Sequence, residues 1–255
     1  MIPIIVINMK DCDGRRAFMQ EQLAALSLQY RILDAIDGRT LSDAELDDVA
    51  PGRGVHYCGL LTPGEIGCAL SHLKAIREIA EGDSDFGAVF EDDIVISSAA
   101  ARFFDERTLL TLPPFDVLQL SENYGQPRRL TMKVGRIGET SFCALPKCHY
   151  TMYGLIYSRN AARRIAATIT SITAPIDNML FHDCRVMGLR VMEARPPVIQ
   201  AHGAAISVIG NRFRSMDALT KLSREVRRYP NALRRWYSFV RAWGFPAIFH
   251  LRRGW

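Results

Sequence analysis

Three consecutive carboxylates, Glu91, Asp92 and Asp93, directly follow an apolar stretch at residues 86–90 that is typical of a buried strand. Ligands of open α/β sheets bind outside the carboxyl ends of strands, which is where this triplet would lie. Adjacent carboxylates repel one another, so a bound cation would explain why they are gathered beside a hydrophobic strand. Their oxygens, together with water and phosphate oxygens, suit Mg²⁺ or Mn²⁺. Such an ion neutralises the charge on a departing diphosphate, as phosphoryl or glycosyl transfer requires; the alternative is a solvated acidic turn.

A second group of polar side chains lies on the clearest helix of the sequence. Thr62, Pro63 and Glu65 predict its start, because they supply an N-cap hydroxyl, a proline at the first position and a glutamate three residues after the threonine. Apolar residues at helical spacing predict one buried face: Ile66, Ala69, Leu70, Leu73 and Ile76. Glu65, Cys68 and His72 share a different face, which either reaches a cleft or is solvated.

Strands and helices alternate in the rest of the sequence. Further strands are predicted at residues 3–9, 30–36, 115–120 and 154–157. Further helices are predicted at residues 15–26 and 41–49 and after the N-cap Ser158. This alternation predicts an α/β fold with a mostly parallel, twisted central sheet flanked by helices.

The composition is that of a globular protein. With 255 residues, 48% of them hydrophobic and 23% charged, the chain is long enough to bury a large core without a structural staple. Its six cysteines include no Cys-x-x-Cys pair and are too sparse for a disulfide scaffold, so we expect a reduced, cytoplasmic compartment. The opening residues lack the positive charge of a signal peptide, and no apolar run is long enough to span a membrane.

Positive charge is concentrated at one end of the chain. Residues 212–255 carry eleven Lys and Arg against two acids, so residues 1–211 are left with a net charge of −4 out of the overall +5. Two apolar stripes at helical spacing run through this basic tail: Leu219, Leu222, Val226 and Tyr229, then Leu233, Trp236, Tyr237 and Val240. We expect a helical tail that contacts an anionic membrane peripherally, on the cytoplasmic face. The alternatives are a helical pair packed on the body and a nucleic-acid contact, which the acidic body disfavours.

Four segments of the chain resemble glycosyltransferase family 25, the lipooligosaccharide and collagen galactosyltransferases. They are residues 7–16 with Ala-Ile-Asp-Gly at 35–38; Leu-Thr-Pro-Gly-Glu-Ile-Gly-Cys-Ala-Leu-Ser-His at 61–72; Val-Phe-Glu-Asp-Asp-Ile at 89–94; and Pro-Ile-Asp at 175–177 with Pro196, Pro197 and Gln200. The second segment matches the family's most specific motif almost throughout. The resemblance covers roughly residues 4–200 and implies a GT-A fold, a divalent metal and inversion at the anomeric carbon.

The resemblance also assigns binding residues. It implies that Asp93, with Asp92 or Glu91, holds the metal and the donor diphosphate. The positions that it assigns to substrate binding, Glu91 and Asp92 again among them, are Asn8, Arg16, Asp37, Gly38, His72, Glu91, Asp92 and Gln200. Arg16 would pair with the diphosphate as a planar fork, unless it is an ordinary exposed arginine of a helix.

An inverting transfer needs a general base that takes the proton of the attacking hydroxyl. Asp177 is the candidate, with a helix N-cap as the alternative interpretation. Glu65 and Glu122 are the competing carboxylates, and isolated histidines such as His202 could add a metal ligand.

The family's commonest case predicts transfer of galactose from UDP-galactose to a lipooligosaccharide or a related glycan. An inactive relative that binds a nucleotide sugar or a glycan is the main alternative. A nucleotide-sugar hydrolase, which uses water as the acceptor, is another.

Overall fold

The computed structural model of the chain describes residues 1–53, 60–121, 130–146, 148, 150–181, 188–202, 233 and 236–253. Strands and helices alternate through most of these residues. The strands are β1 (Ile4–Asn8), β2 (Arg31–Asp34), β3 (Phe86–Glu91), β4 (Ile94–Ile96), β5 (Val117–Gln119), β6 (Leu130–Ile137), β7 (Thr140–Ala144), β8 (Gly154–Ser158), β9 (Val191–Arg195), β10 (Ile199–Ala201) and β11 (Arg252–Arg253). The α-helices are α1 (Asp13–Ala25), α2 (Asp43–Val49), α3 (Pro63–Glu81), α4 (Glu106–Leu109), α5 (Arg159–Thr168) and α6 (Ile176–Phe181). Short 3₁₀ helices cover Gly38–Thr40, Pro51–Arg53, Ser98–Phe104 and Phe245–His250.

Nine of the described strands form one sheet, in the order β11-β6-β7-β9-β5-β8-β3-β1-β2. Strands β2, β1 and β3 run parallel to one another, as do β5 and β9. In contrast, β8 lies antiparallel between β3 and β5, β7 lies antiparallel between β9 and β6, and β11 is antiparallel to β6. Six of the nine strands therefore point in one direction. The predicted α/β class, with a mostly parallel central sheet flanked by helices, is confirmed, and the three antiparallel strands make the sheet a mixed one.

Both faces of the sheet are covered, because successive side chains of its central strands are buried on opposite sides. In β1, Ile5 and Ile7 belong to the core layer that also contains the buried residues of α3, α5 and α6. Ile4 and Val6 belong to the opposite layer, together with residues of α1 and of the 3₁₀ helix Ser98–Phe104. All five residues of β1 are buried, which explains why the first four are apolar.

Helix α3 begins where the sequence predicts. The Thr62 hydroxyl accepts the Glu65 backbone N–H at 3.2 Å, and Glu65 Oε2 accepts the Thr62 backbone N–H at 2.8 Å, so the predicted capping box is complete. The predicted apolar face is buried except for Leu70, which is half-buried. This helix positions the largest group of candidate site residues.

Glycine allows α3 to touch the loop that follows β2. A Cβ on Gly67 would collide with the carbonyl oxygen of Ile36 and would lie 2.5 Å from the backbone nitrogen of Gly38. A Cβ on Gly38 would collide in turn with the carbonyl oxygen of Pro63. Ser71 Oγ secures the contact, since it accepts the Ile36 N–H at 2.8 Å and donates to the Gly67 carbonyl at 2.7 Å.

The basic tail predicted at residues 212–255 is described only at residues 233 and 236–253. Residues 236–243 are helical there, and the 3₁₀ helix Phe245–His250 and β11 follow. The first of the two predicted apolar stripes lies outside the described residues. In the described part of the chain, no helix is both long and apolar enough to cross a membrane.

The described part of the tail packs on the sheet. Phe239 and Ala247 are buried in a small cluster with Met132 of β6 and Ala144 of β7. Strand β11 extends the sheet by pairing with β6. These tail residues therefore pack on the body, which is one of the alternatives that the sequence left open. Leu233 and Tyr237 of the second apolar stripe are exposed.

The contact between α3 and the β2 loop predicts that Gly67→Ala destabilises the protein by about 2 kcal/mol or more, because the added methyl group meets fixed backbone atoms. Gly14→Ala is the matched control, since a Cβ there meets nothing within 4 Å. Its expected effect is neutral or stabilising by up to about 1 kcal/mol, through helix propensity. Urea unfolding followed by circular dichroism measures both variants, and a Gly67→Ala protein as stable as Gly14→Ala would contradict the packing argument.

Candidate active site

The acidic triplet lies at the carboxyl edge of the sheet, as the sequence predicts. Strand β3 ends at Glu91, which is in register with Ile7 of the parallel neighbour β1. Asn8 therefore comes at the same edge, where β1 ends. Asp92 and Asp93 form the turn between β3 and β4, so three carboxylates and a buried amide meet at one place.

Asp92 is neutralised by groups from the first β-loop-α unit. Its Oδ2 accepts a 2.7 Å hydrogen bond from the Asn8 amide, and its Oδ1 accepts one of 2.9 Å from the Arg15 guanidinium. The residue is buried, so these partners compensate the cost of removing its charge from water. Both Asp92 oxygens are thus occupied by protein groups.

Among the described residues, Asp93 has no hydrogen-bond partners comparable to those of Asp92. Its Oδ1 is buried and has no hydrogen-bond partner within the described part of the chain, and its Oδ2 lies 3.7 Å from the Arg15 guanidinium. Burial, reinforced by the charge of Glu91, raises the pKa of Asp93 to about 6. The carboxylate is consequently held in an environment that favours a bound proton or a bound cation.

Glu91 meets two residues of α3. Its Oε1 lies 3.2 Å from His72 Nε2, and the His72 side chain is only 1% exposed. Ligand atoms of Cys68, His72 and Glu91 all lie within 4.8 Å of one another. The sequence placed Cys68 and His72 on one helix face but did not indicate that this face meets the end of β3.

Of the two adjacent arginines, Arg15 faces the acidic turn and Arg16 does not. Arg16 Nε donates to Asn8 Oδ1 at 2.8 Å, and its NH2 group donates to Asp34 at 3.0 Å. It thereby orients the amide that holds Asp92, instead of lining the cavity that Arg15 lines. Two adjacent arginines in a sequence carry no signal that says which of them points toward the site.

The first cavity lies between the triplet and the loop after β2, and Arg15, Asp37, Gly38, His72 and the three carboxylates line it. Asp37 accepts hydrogen bonds from the Arg39 side chain at 2.8 and 2.7 Å, and these bonds lower the pKa of Asp37. Its carboxylate is thus kept ionised, as an acceptor for ligand hydroxyl groups. The space beside Gly38 is filled by the start of α3, so this glycine serves packing.

A second cavity adjoins the first and shares Cys68, Glu91 and Asp93 with it. Asp177 and Glu65 line it from α6 and α3. Asp177 is the second residue of α6, not the residue before it, and its Oδ1 accepts the backbone N–H of Asn178 at 2.8 Å. The N-cap interpretation of Asp177 is therefore wrong, and its role as general base stays a prediction.

The remaining candidate site residues differ in whether they line the cavities. Glu65 lines the second cavity, but one of its oxygens is used in the capping box. His202 lines the same cavity, stacks on Phe18 with ring centroids 4.5 Å apart and donates its backbone N–H to the Asp93 carbonyl. Gln200 is exposed on β10 and lines neither cavity, and Glu122 lies outside the described residues.

Comparison with known proteins identifies several relatives of the chain. It is 27% identical to procollagen galactosyltransferase 1-B of Xenopus laevis over 69% of its length, 28% identical to inactive glycosyltransferase 25 family member 3 of Mus musculus over 69%, and 26% identical to human procollagen galactosyltransferase 2 over 69%. These matches cover 30%, 31% and 29% of the relatives' own lengths. The chain thus spans about a third of the proteins that it resembles.

The family model described as "Glycosyltransferase family 25 (LPS biosynthesis protein)" matches residues 1–180. This range contains the ends of β1 and β3, the α3 motif, the acidic triplet and Asp177, which line the two adjoining cavities. The chain therefore belongs to glycosyltransferase family 25.

Proposed function

We propose that the protein is a metal-dependent, inverting glycosyltransferase that moves galactose from UDP-galactose onto a hydroxyl group of a glycan or glycolipid such as lipooligosaccharide. The observation that carries the proposal is the position of Glu91 and Asp93, which border a cavity lined by Arg15 and Asp37 and also a cavity lined by Asp177. A donor diphosphate in the first cavity and an acceptor hydroxyl in the second would approach each other at these two carboxylates.

The residues at this border fit a divalent cation. The buried Asp93 Oδ1 has no hydrogen-bond partner among the described residues, and burial and the charge of Glu91 raise the pKa of Asp93. A bound cation would relieve both conditions. Because Asn8 and Arg15 already engage Asp92, Glu91 and Asp93 are the carboxylates that would hold Mn²⁺ or Mg²⁺. When bound, the ion supplies charge neutralisation for the departing diphosphate.

Arg15 and Asp37 would bind different parts of the donor. A guanidinium matches phosphate oxygens with two parallel N–H groups, and Arg15 brings one into the first cavity. The ionised Asp37 carboxylate, clamped by Arg39, would accept hydrogen bonds from ribose hydroxyls. His72 borders the same cavity, while Asn8 and Arg16 would act indirectly by holding Asp92.

Asp177 would serve as the general base. Inverting transfer requires a carboxylate that removes the proton of the attacking hydroxyl from the side opposite the leaving group. Asp177 is half-buried and lines the second cavity together with Glu91 and Asp93, the carboxylates that would hold the metal. Glu65 is the weaker candidate, because its role in the capping box fixes the start of α3.

The second candidate function is binding of a nucleotide sugar without turnover. It is favoured by the relatives that are named as inactive members of the family in mouse and rat. Product analysis after incubation with UDP-galactose, Mn²⁺ and a panel of glycan acceptors separates the two functions, since both predict donor binding and only the first predicts a new glycoside.

Asp93→Asn is expected to reduce transfer by at least about 10²-fold, because it removes a ligand charge from the proposed metal site. Asp83→Asn is the matched control, because it makes the same chemical change at an exposed position just before β3 begins, at the end of the strand away from the acidic triplet. Initial rates with Mn²⁺ and UDP-galactose measure the effect. Wild-type rates in Asp93→Asn would contradict the assignment of this carboxylate.

A stability measurement shows whether loss of transfer in Asp93→Asn arises from unfolding. The pKa of Asp93 is about 6 in the folded protein, above the ordinary value of 3.8 for an aspartate, so the folded state binds this proton more tightly than the unfolded state does. Ionisation therefore costs folding free energy, which is absent below pH 3.8 and fully present above about pH 6. In the presence of a chelator, Asp93→Asn should be more stable than wild type by about 1–2 kcal/mol at pH 7.5 and equal to it near pH 4. Lower stability of the variant at pH 7.5 would contradict this account.

Asp177→Asn is expected to lower kcat by about 10² or more while donor affinity stays nearly unchanged, because the amide cannot take the acceptor proton. Calorimetric titration with UDP in the presence of Mn²⁺ measures donor affinity separately from turnover. Loss of donor binding would assign Asp177 to the donor site, and an unchanged kcat would exclude it as the base.

We further propose that the tail contacts an anionic membrane peripherally, on the cytoplasmic face. Tyr237, Phe245 and Phe249 are exposed on the described part of the tail, and aromatic side chains beside arginines favour an interfacial position. Full-length protein should sediment with vesicles that contain phosphatidylglycerol but not with pure phosphatidylcholine, and Phe245→Ser with Phe249→Ser should weaken the binding. Absence of binding at low salt would contradict the membrane contact.

A further inference from the structure

A thiol, an imidazole and a carboxylate converge where α3 meets the end of β3. Cys68 and His72 are one helical turn apart on α3, and Glu91 is the last residue of β3. Their ligand atoms lie within 4.8 Å of one another, and all three residues border the first cavity. Among the described residues, Cys68, His72 and Glu91 thus bring a sulfur, a nitrogen and an oxygen ligand together in one group.

The ligand chemistry of this group differs from that of the neighbouring carboxylates. Mg²⁺ and Mn²⁺ prefer oxygen ligands, whereas a thiolate and an imidazole select zinc and similar thiophilic ions. With Cys68 ionised and His72 neutral, the three ligands carry two negative charges, which a divalent ion balances. Binding displaces the thiol proton, which passes to solvent.

The distances allow a tetrahedral ion. Bonds of about 2.0–2.3 Å place the donor atoms of a tetrahedral zinc roughly 3.5 Å apart. His72 Nε2 and Glu91 Oε1 are already 3.2 Å apart. Because all the ligand atoms lie within 4.8 Å of one another, the Cys68 side chain has to close a gap of at most about 1.3 Å by rotation. All three residues line the first cavity, so water would supply the fourth ligand from there.

Burial holds part of the site in position before any ion arrives. The His72 side chain is 1% exposed, and its Nδ1 has no hydrogen-bond partner among the described side chains and backbone. Cys68 is half-buried and packs against the core beside α3. The ion would therefore reach the three ligands from the cavity, the side on which they are accessible.

We propose that Cys68, His72 and Glu91 form a binding site for zinc or another thiophilic divalent ion, with a ligand set that overlaps the proposed Mn²⁺ or Mg²⁺ site only at Glu91. The two sites share Glu91, so an ion bound to the thiolate takes a ligand from the other site. Zinc would accordingly inhibit an enzyme that depends on Glu91 and Asp93. The binding itself does not rest on the proposed transferase activity.

Cobalt reports the ligand set directly, because a thiolate bound to Co²⁺ gives a charge-transfer absorption band in the near ultraviolet and a tetrahedral Co²⁺ gives intense visible bands. The experiment titrates the full-length protein with CoCl₂ alone, in a reductant that is not a thiol, and then displaces the cobalt with ZnCl₂. We expect both sets of bands in the wild type, saturation at one cobalt per chain and loss of the bands with zinc.

Three variants locate the site. Cys68→Ser should abolish the charge-transfer band and weaken zinc binding by at least about 100-fold. Cys12→Ser, the control at another half-buried cysteine, should retain the band. Asp93→Asn should also retain it, whatever happens to transfer, so failure of this site and failure of the proposed function are distinguishable.

A wild-type protein without a charge-transfer band, or a band that persists in Cys68→Ser, would overturn the proposal. A band lost in Cys12→Ser and kept in Cys68→Ser would overturn it as well. Thermal unfolding of each variant without metal excludes misfolding as the cause of a lost band.

Discussion

The contact between Gly67 and Gly38 brings two backbones together without an intervening side chain, and the candidate site depends on it. Because α3 approaches the β2 loop this closely, its polar face lies over the carboxyl ends of β1 and β3. Cys68 and His72 thereby reach Glu91, and Asp37 reaches the same cavity from the other side. A larger residue at either glycine would separate the helix from the loop, and both cavities would change shape.

The three carboxylates of the acidic triplet differ in how their neighbours compensate their charge. Asn8 and Arg15 compensate Asp92, so this residue can be buried and can hold the turn. Asp93 is desolvated beside Glu91 without equivalent compensation, which raises the pKa of Asp93. Asp92 is satisfied, whereas Asp93 keeps a buried oxygen without a partner among the described residues. Such an array is better suited to gathering a cation than three equivalent carboxylates would be.

The chain belongs to glycosyltransferase family 25, and the structure shows which of its polar residues meet at the two cavities. Relatives that are named as galactosyltransferases and relatives that are named as inactive both match this chain, so membership alone does not establish turnover. The described tail residues, which pack on β6 and β7, make the body and the end of the tail one structural unit. The predicted division at residue 211 stays a prediction, because residues 203–232 around it lie outside the described part of the chain.

Local signals in the sequence determined the parts of the site whose causes are local. The capping residues of α3, the apolar runs of β1 and β3 and the triplet after β3 are each specified by neighbours in the chain, so their prediction agrees with the structure. The hairpin of β6 and β7 escaped prediction, because its mixed polar and apolar residues resemble a loop until a neighbouring strand and the tail cover one side. Only the tertiary structure decided that Arg15 instead of Arg16 faces the cavity, that Asp92 is engaged and Asp93 is not, and that Cys68 meets Glu91. Each of these outcomes depends on strand register and helix placement between residues far apart in the chain, and no local pattern of residues encodes those distances.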